Sequence, residues 1–282
     1  MKNLSRIKIL LVLLLISLYG ISAFAQVSPE PEDGKPKKKK LKIALEKLAQ
    51  KVRDINDDEE FVASPAKGWY AIMRQVRDKK LSRKQSVDSM RNFMEGLNLY
   101  IIKNNPKIYK DNEWVFPVKG YTSSAIGGSN GSGFVVADFD FYDGSTGGHP
   151  AQDIFIADKN QDCIDDNTNK PVKILSMSGG IVVETRKNWT TDMTDIKGGN
   201  IVYVYDNYTD GLFYYAHLKE VEVNVGDFVY PGMVLGTLGR TGKNAFPPRS
   251  PTHLHIMYVK NLDGDILPAN IYNDLLKAKI VK

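Results

Sequence analysis

Ile201-Val-Tyr-Val-Tyr205 and Leu212-Phe-Tyr-Tyr215, parted only by Asp206-Asn-Tyr-Thr-Asp-Gly211, are the stretch on which the reading of the fold turns. β-Branched and aromatic side chains fit a pleated, half-buried surface, and the Asp, Asn and Gly between them mark a turn. The same pattern recurs on both sides, at Phe134–Ala137, Ile174–Leu175, Ile181–Thr185, Phe228–Tyr230 and Leu254–Val259. Val225-Gly226-Asp227 and Tyr230-Pro231-Gly232 bracket strands as turn signals. Short strands at this spacing, with almost no helical period among them, predict one β-rich unit over residues 106–282. A short helix near Asn270–Lys277 closes it.

Before Pro106 the pattern changes. Leu41, Leu45, Leu48, Val52 and Ile55 recur at three- and four-residue steps, as on an amphipathic helix. Ser64-Pro65 is a cap and first-turn pair that opens a second helix through Trp69, Ile72, Met73 and Val76. Ser82, with Gln85 three residues on, is a capping box for a third helix carrying Val87, Met90, Met94, Leu97 and Ile101. Residues 41–105 therefore read as a small helical module.

The N-terminus carries a different signal. Lys2, Arg6 and Lys8 precede an apolar run from Ile9 to Tyr19, and Ala23-Phe24-Ala25 follows. This is the layout of a secretory signal peptide cut after Ala25, and the run is shorter than a spanning helix needs. An uncleaved membrane anchor is the alternative, disfavoured by that length. The expectation is an exported protein, periplasmic, envelope-bound or extracellular, with no membrane span once residues 1–25 are gone. Cleavage leaves 35 Lys/Arg against 33 Asp/Glu, so the charge of +5 falls to +2. Much of that remainder sits in Lys35 and Lys37–Lys40 beside Pro29, Pro31 and Pro36, so residues 26–40 read as a solvated basic linker. Nothing in the sequence suggests a nucleic-acid partner. One cysteine, Cys163, forms no internal bridge, and stability must come from a packed core.

All four histidines, His149, His217, His253 and His255, fall in the β unit. His149-Pro-Ala-Gln-Asp153 offers an imidazole and a carboxylate four positions apart. His253-Leu-His255 puts two imidazoles on one face of a strand, because side chains alternate across it. Zinc accepts imidazole nitrogen and carboxylate oxygen, and a catalytic zinc keeps a position for water. His149, Asp153 and one of the paired histidines suffice as ligands, leaving neutral imidazoles nearby to move protons.

These residues resemble the lysostaphin-type, LytM-like zinc endopeptidases of bacterial cell walls. The resemblance rests on His149-x-x-x-Asp153, Tyr215-Ala-His217-Leu218 and His253-Leu-His255. Supporting pieces are Phe116-Pro-Val-Lys-Gly120, Gly179-Gly-Ile-Val-Val183, Gly199-Asn200, Val225-Gly-Asp-Phe-Val229, Gly232-Met-Val-Leu-Gly236 and Gly239-Arg-Thr-Gly242. It implies a compact antiparallel β domain with an open groove. It also implies His149, Asp153 and His255 as ligands of one Zn2+, His217 and His253 as catalytic histidines, and peptidoglycan peptides as substrate. A tyrosine upstream of the first ligand assists in some relatives. Tyr142 is the candidate here, with burial in a loop as its alternative.

The chain departs from the pattern in three places. Ala151 replaces a usual glycine, and Gly242–Pro251 is longer and richer in proline. An insert, Asp158–Asp166, resembles the start of an EF-hand-like Ca2+ loop. Cys163 stands for its turn glycine and Asn169 for its bidentate glutamate, which favours a solvated acidic turn. The alternatives to a peptidase are a non-catalytic regulator of wall hydrolases and a lipoyl-type carrier. The first would have lost ligands, and the second would need an exposed lysine at a tight turn. The His-Glu-x-x-His of helical zinc proteases is absent.

Overall fold

The computed structural model describes residues 65–104, 107–143 and 147–282. The leader, the basic linker, the helix expected over 41–55 and the cap Ser64 lie outside the described residues. Pro65–Arg77 forms α1 and Arg83–Asn104 forms α2. The reciprocal box at the start of α2 is present. Ser82 N donates to Gln85 Oε1 at 2.9 Å and Gln85 N to Ser82 Oγ at 3.3 Å, so two otherwise orphaned donors are satisfied.

The rest is mainly antiparallel β structure, as the alternating runs imply. Among the described residues nine strands form the sheet: β1 (Gln152–Phe155), β2 (Lys173–Leu175), β3 (Gly180–Arg186), β4 (Asn200–Asp206), β5 (Gly211–Val221), β6 (Phe228–Val229), β7 (Val234–Leu238), β8 (His253–Leu262) and β9 (Asp265–Pro268). Their order is β1-β8-β5-β4-β3-β6, with β9 beside β8, and β7 bridging β5 and β2. Tyr272–Lys277 forms α3, where the short closing helix was expected.

Strand alternation sorts the core into two layers. Val202, Val204, Phe213, Tyr215, Leu254, Ile256 and Tyr258 pack on one face with Trp114, Phe116 and Leu235. Tyr205, Leu212, Met257 and Val259 pack on the other, beneath Trp69 of α1 and Met90, Phe93, Met94 and Leu97 of α2. Trp69 is 1% exposed and donates its Nε1 to Glu184 Oε2 at 2.7 Å. The helices thus cover part of the face on which the histidine pair lies.

Phe134–Ala137 is not a strand. It makes a single bridge, Val135 to His149; the chain turns at Ala137 (φ 45°), and Val135 and Val136 face solvent. An apolar run needs a neighbouring strand to extend its ladder, and here the facing segment supplies one residue, His149. β1, β7 and β9 lie outside the runs that composition marks as strands. β9 had a local signal, since Asp263-Gly264, both at positive φ, makes the two-residue turn from β8. A Cβ on Gly264 would sit 2.2 Å from the Val87 carbonyl of α2, so only glycine fits there.

Candidate metal centre

The centre is assembled from three adjacent strands and one loop. Asp153 lies directly opposite His255 in the β1–β8 pairing, and Phe155 opposite His253, so all four side chains share a face. Ala216 lies opposite His255 in the β5–β8 pairing. Regular alternation would then turn His217 away, into the apolar layer with Phe213 and Tyr215. A bulge prevents this. Between Asn200 and Val202 of β4, β5 spends one extra residue, and His217 adopts a left-handed φ of 67°. Leu218 takes the core position instead, and the His217 ring lies 5.0 Å from His253 and 5.8 Å from His255.

His149 comes from the loop before β1. Its backbone is bridged to Val135, and Gly148 before it is at φ +78°, where a Cβ would meet the Val135 carbonyl at 2.3 Å. Ala151, in the position usual for glycine, buries its methyl in the layer beneath the helices.

His149 Nε2, Asp153 Oδ1 and His255 Nδ1 form a triangle with sides of 3.2, 3.1 and 3.1 Å. Donors about 2.0–2.2 Å from a tetrahedral zinc stand roughly 3.3–3.5 Å apart, so this triangle approximates one face of such a shell. Among the described residues it is the one group of three potential ligands. Its tautomers are set from behind. His149 Nδ1–H donates to the Gly133 carbonyl at 2.8 Å, which leaves the Nε2 lone pair facing two further acceptors. Such a convergence calls for a positive charge at its centre, either a proton or a cation. The hydrogen bond to Asp153 raises the pKa of His149. Burial by itself would raise that of Asp153, but hydrogen bonds from His149 and His255 bring it well below the usual carboxylate range.

His217 and His253 stand beside the triangle with the same second contact. His217 Nδ1–H donates to the Thr241 carbonyl at 2.8 Å, and His253 Nδ1–H to that of Pro251 at 2.7 Å. Both keep a bare Nε2. Burial lowers the pKa of His217 to about 3 and lowers that of His253, so both rings are neutral near pH 7.

The centre opens into a cleft of about 250 Å3 lined by Lys197, Tyr203, Tyr214, Asn244 and Met257 among others. Ring contacts run from the helices into it: Trp69 to Tyr203 (5.7 Å), Tyr203 to Tyr214 (4.6 Å), Tyr214 to His255 (6.0 Å). Burial raises the pKa of both tyrosines, so their hydroxyls stay protonated. Tyr203 and Tyr214 were missed at the level of sequence, although Tyr214 lies two residues from Ala216, the partner of His255, and so shares its face. Tyr142 is a different case. It is buried, and its hydroxyl donates to the Gly264 carbonyl, which takes it out of the centre.

The acidic insert is turned inward on itself. Asp158 accepts from the backbone N–H groups of Asp162 and Cys163, Asp162 from that of Ile164, and Asp166 from that of Lys159. These carboxylates are engaged by the turn, and the Ca2+ reading has no support.

Residues 159–265 match Peptidase family M23. The match takes in His217, His253 and His255, while His149 and Asp153 precede it. The lysostaphins of Staphylococcus staphylolyticus and Staphylococcus simulans are each 35% identical over 97 residues, 34% of this chain and 17% of theirs. The chain thus spans under a fifth of the length of these relatives. Among solved structures, the catalytic domain of the S. simulans enzyme aligns at 22% identity over 53% of this chain and 90% of its own (TM-score 0.35). A putative glycyl-glycine endopeptidase lytM from Ruminococcus gnavus aligns at 23% identity over 71% and 75% (TM-score 0.42).

Proposed function

We propose that the chain is a lysostaphin/LytM-like member of Peptidase family M23 and, from that premise, an exported zinc metalloendopeptidase acting on peptidoglycan cross-links or stem peptides. The observation that carries this is the triangle of His149, Asp153 and His255 with two neutral, bare imidazole nitrogens beside it. Two nitrogens and one carboxylate oxygen fit zinc, and three protein ligands are the usual number for a catalytic rather than a structural ion. Zinc held there supplies a bound water whose pKa falls toward about 7.

The chain's own groups do the rest. His217 and His253 each offer an acceptor at Nε2, held in place by a carbonyl behind Nδ1. His253, 3.7 Å from Asp153 Oδ1, is the better proton acceptor. His217, with a pKa of about 3, orients a donor rather than retaining a proton. Once protonated, His253 returns the proton to the departing amine. The hydroxyls of Tyr203 and Tyr214 provide donors in the cleft for a peptide carbonyl.

Export rests on the leader at residues 1–25, and no helix among the described residues is long and apolar enough to cross a membrane. A non-catalytic regulator is not favoured, because the three proposed ligands and the two proposed catalytic histidines stand together. The test uses residues 26–282 with zinc on purified wall peptides, read by mass spectrometry for new termini. Cleavage by this protein, abolished in His255→Ala together with its zinc content, is the expected result. Cleavage by His253→Ala and His255→Ala equal to that of the wild type would overturn the reading.

A further inference from the structure

Phe246–Pro251, two residues beyond Asn244 of the cleft, carries three prolines, Pro247, Pro248 and Pro251, in six residues. Proline has no N–H, so backbone ties within such a loop are few: Ser250 N–H donates to the Pro247 carbonyl at 2.9 Å, and the other carbonyls need donors from elsewhere. One side chain supplies most of them. Arg240, just beyond β7 and 8% exposed, donates Nη1 to the Ser250 carbonyl (2.6 Å) and Thr252 Oγ1 (3.2 Å). Its Nη2 reaches the carbonyls of Pro247 (3.0 Å) and Phe246 (3.4 Å).

The acidic insert grips the same loop from the other side. Thr252 Oγ1–H donates to Asp158 Oδ2 at 2.6 Å, and Gln161 Nε2 donates to the Pro248 carbonyl at 2.9 Å. Asp158 is itself fixed by the N–H groups of Asp162 and Cys163. The buried guanidinium and the buried carboxylate therefore meet through one hydroxyl, with the proline loop held between them. Two of the three departures from the family pattern, the insert and the long loop, brace each other.

What the clamp delivers is the Pro251 carbonyl, the acceptor for His253 Nδ1–H. We propose that Arg240, with Thr252 and Asp158, is a positioning residue for His253: by fixing the proline loop it keeps the ring in the tautomer whose Nε2 faces the metal triangle. A planar guanidinium suits this role because its donors lie in a fixed fork, which reaches several acceptors at once. The proposal rests on the peptidase reading for its catalytic consequence, but not for its effect on the ring.

The experiment compares wild type, Arg240→Met, Arg240→Lys and Thr252→Val, each as residues 26–282 loaded with zinc. Imidazole 15N shifts report the His253 tautomer, metal analysis the zinc content, and steady-state kinetics on wall peptides kcat and KM. Arg240→Met and Thr252→Val should turn the single Nδ1–H form of His253 into a mixture and lower kcat about 10- to 100-fold, as loss of an orienting partner does. Zinc content should stay at the wild-type level, because His253 is outside the triangle, and Arg240→Lys should recover part of the loss. Thr252→Val, nearly unchanged in volume, decides the matter if Arg240→Met does not fold. A wild-type His253 spectrum in the folded variants would overturn the proposal. A changed spectrum in variants of a wild type that cleaves no wall peptide would keep the clamp and sink the peptidase reading.

Discussion

On β1 and β8 the site follows the regular pleat, whereas on β5 it depends on a break in it. Asp153, His253 and His255 reach one face because residues two apart on a strand, or opposite across a pair, do so without special provision. His217 reaches that face only because one extra residue on β5 reverses the alternation at a left-handed position. The pleat delivers two of the three proposed ligands, and the bulge delivers a residue beside them. The difference separates holding the ion from acting near it, and it can be tested as such.

The largest effect should come from truncating the bulged side. His217→Ala should keep zinc at the wild-type stoichiometry while wall-peptide turnover falls about 10²- to 10⁴-fold, the usual loss for a group that handles a proton. Loss of zinc in that variant would show that the bulge belongs to the metal shell and erase the distinction.

Acidification gives a smaller effect with a definite sign. His217 titrates near 3 in the folded protein because it is buried, and near 6.5 when unfolded. Between those values the unfolded chain binds the extra proton, so the folded state loses stability as pH falls from about 6.5 to about 3. His149, with a raised pKa, opposes this: its stabilisation is present at low pH and fades as pH rises through its folded value. Metal-free wild type should therefore lose more stability on acidification than metal-free His217→Gln, measured by urea unfolding across that range. Parallel curves for the two proteins would contradict the assignment.

The smallest effect concerns the bulge itself. A non-glycine residue at φ 67° carries a backbone cost of roughly 1–2 kcal/mol that glycine avoids. His217→Gly should therefore unfold at higher denaturant than His217→Ala, by about 1 kcal/mol, although both are impaired in cleavage. If the alanine variant is the more stable, position 217 is not strained and the bulge has another cause.

Particular residues show how far the sequence could be read. Ile201–Tyr205, Leu212–Tyr215 and Leu254–Val259 became strands because their apolar side chains serve two core layers, one on each face of the sheet. Phe134–Ala137 has the same composition but lacked a partner strand, which no local pattern records. Ser82 and Gln85 capped α2 as their spacing implies, since a capping box closes within four residues. The histidine pair could be read by its spacing of two. The bulge could not, because it is defined by pairing with β4, and nothing near His217 in the chain announces it. The Arg240 clamp was hidden for the same reason: Arg240 and Asp158 are 82 positions apart in sequence.

Taken alone, the sequence determined those features that depend on neighbours along the chain: where strands and helix caps fall, which residue types can bind a metal, and which of them share a strand face. Only the tertiary structure decided that a bulge turns His217 toward the others and that Trp69 of the helices backs the cleft through Tyr203. It also decided that a buried arginine fixes the proline loop behind His253. Local propensity and pleat periodicity act over a few residues. Register, bulges and buried hydrogen bonds arise only when distant segments pack together.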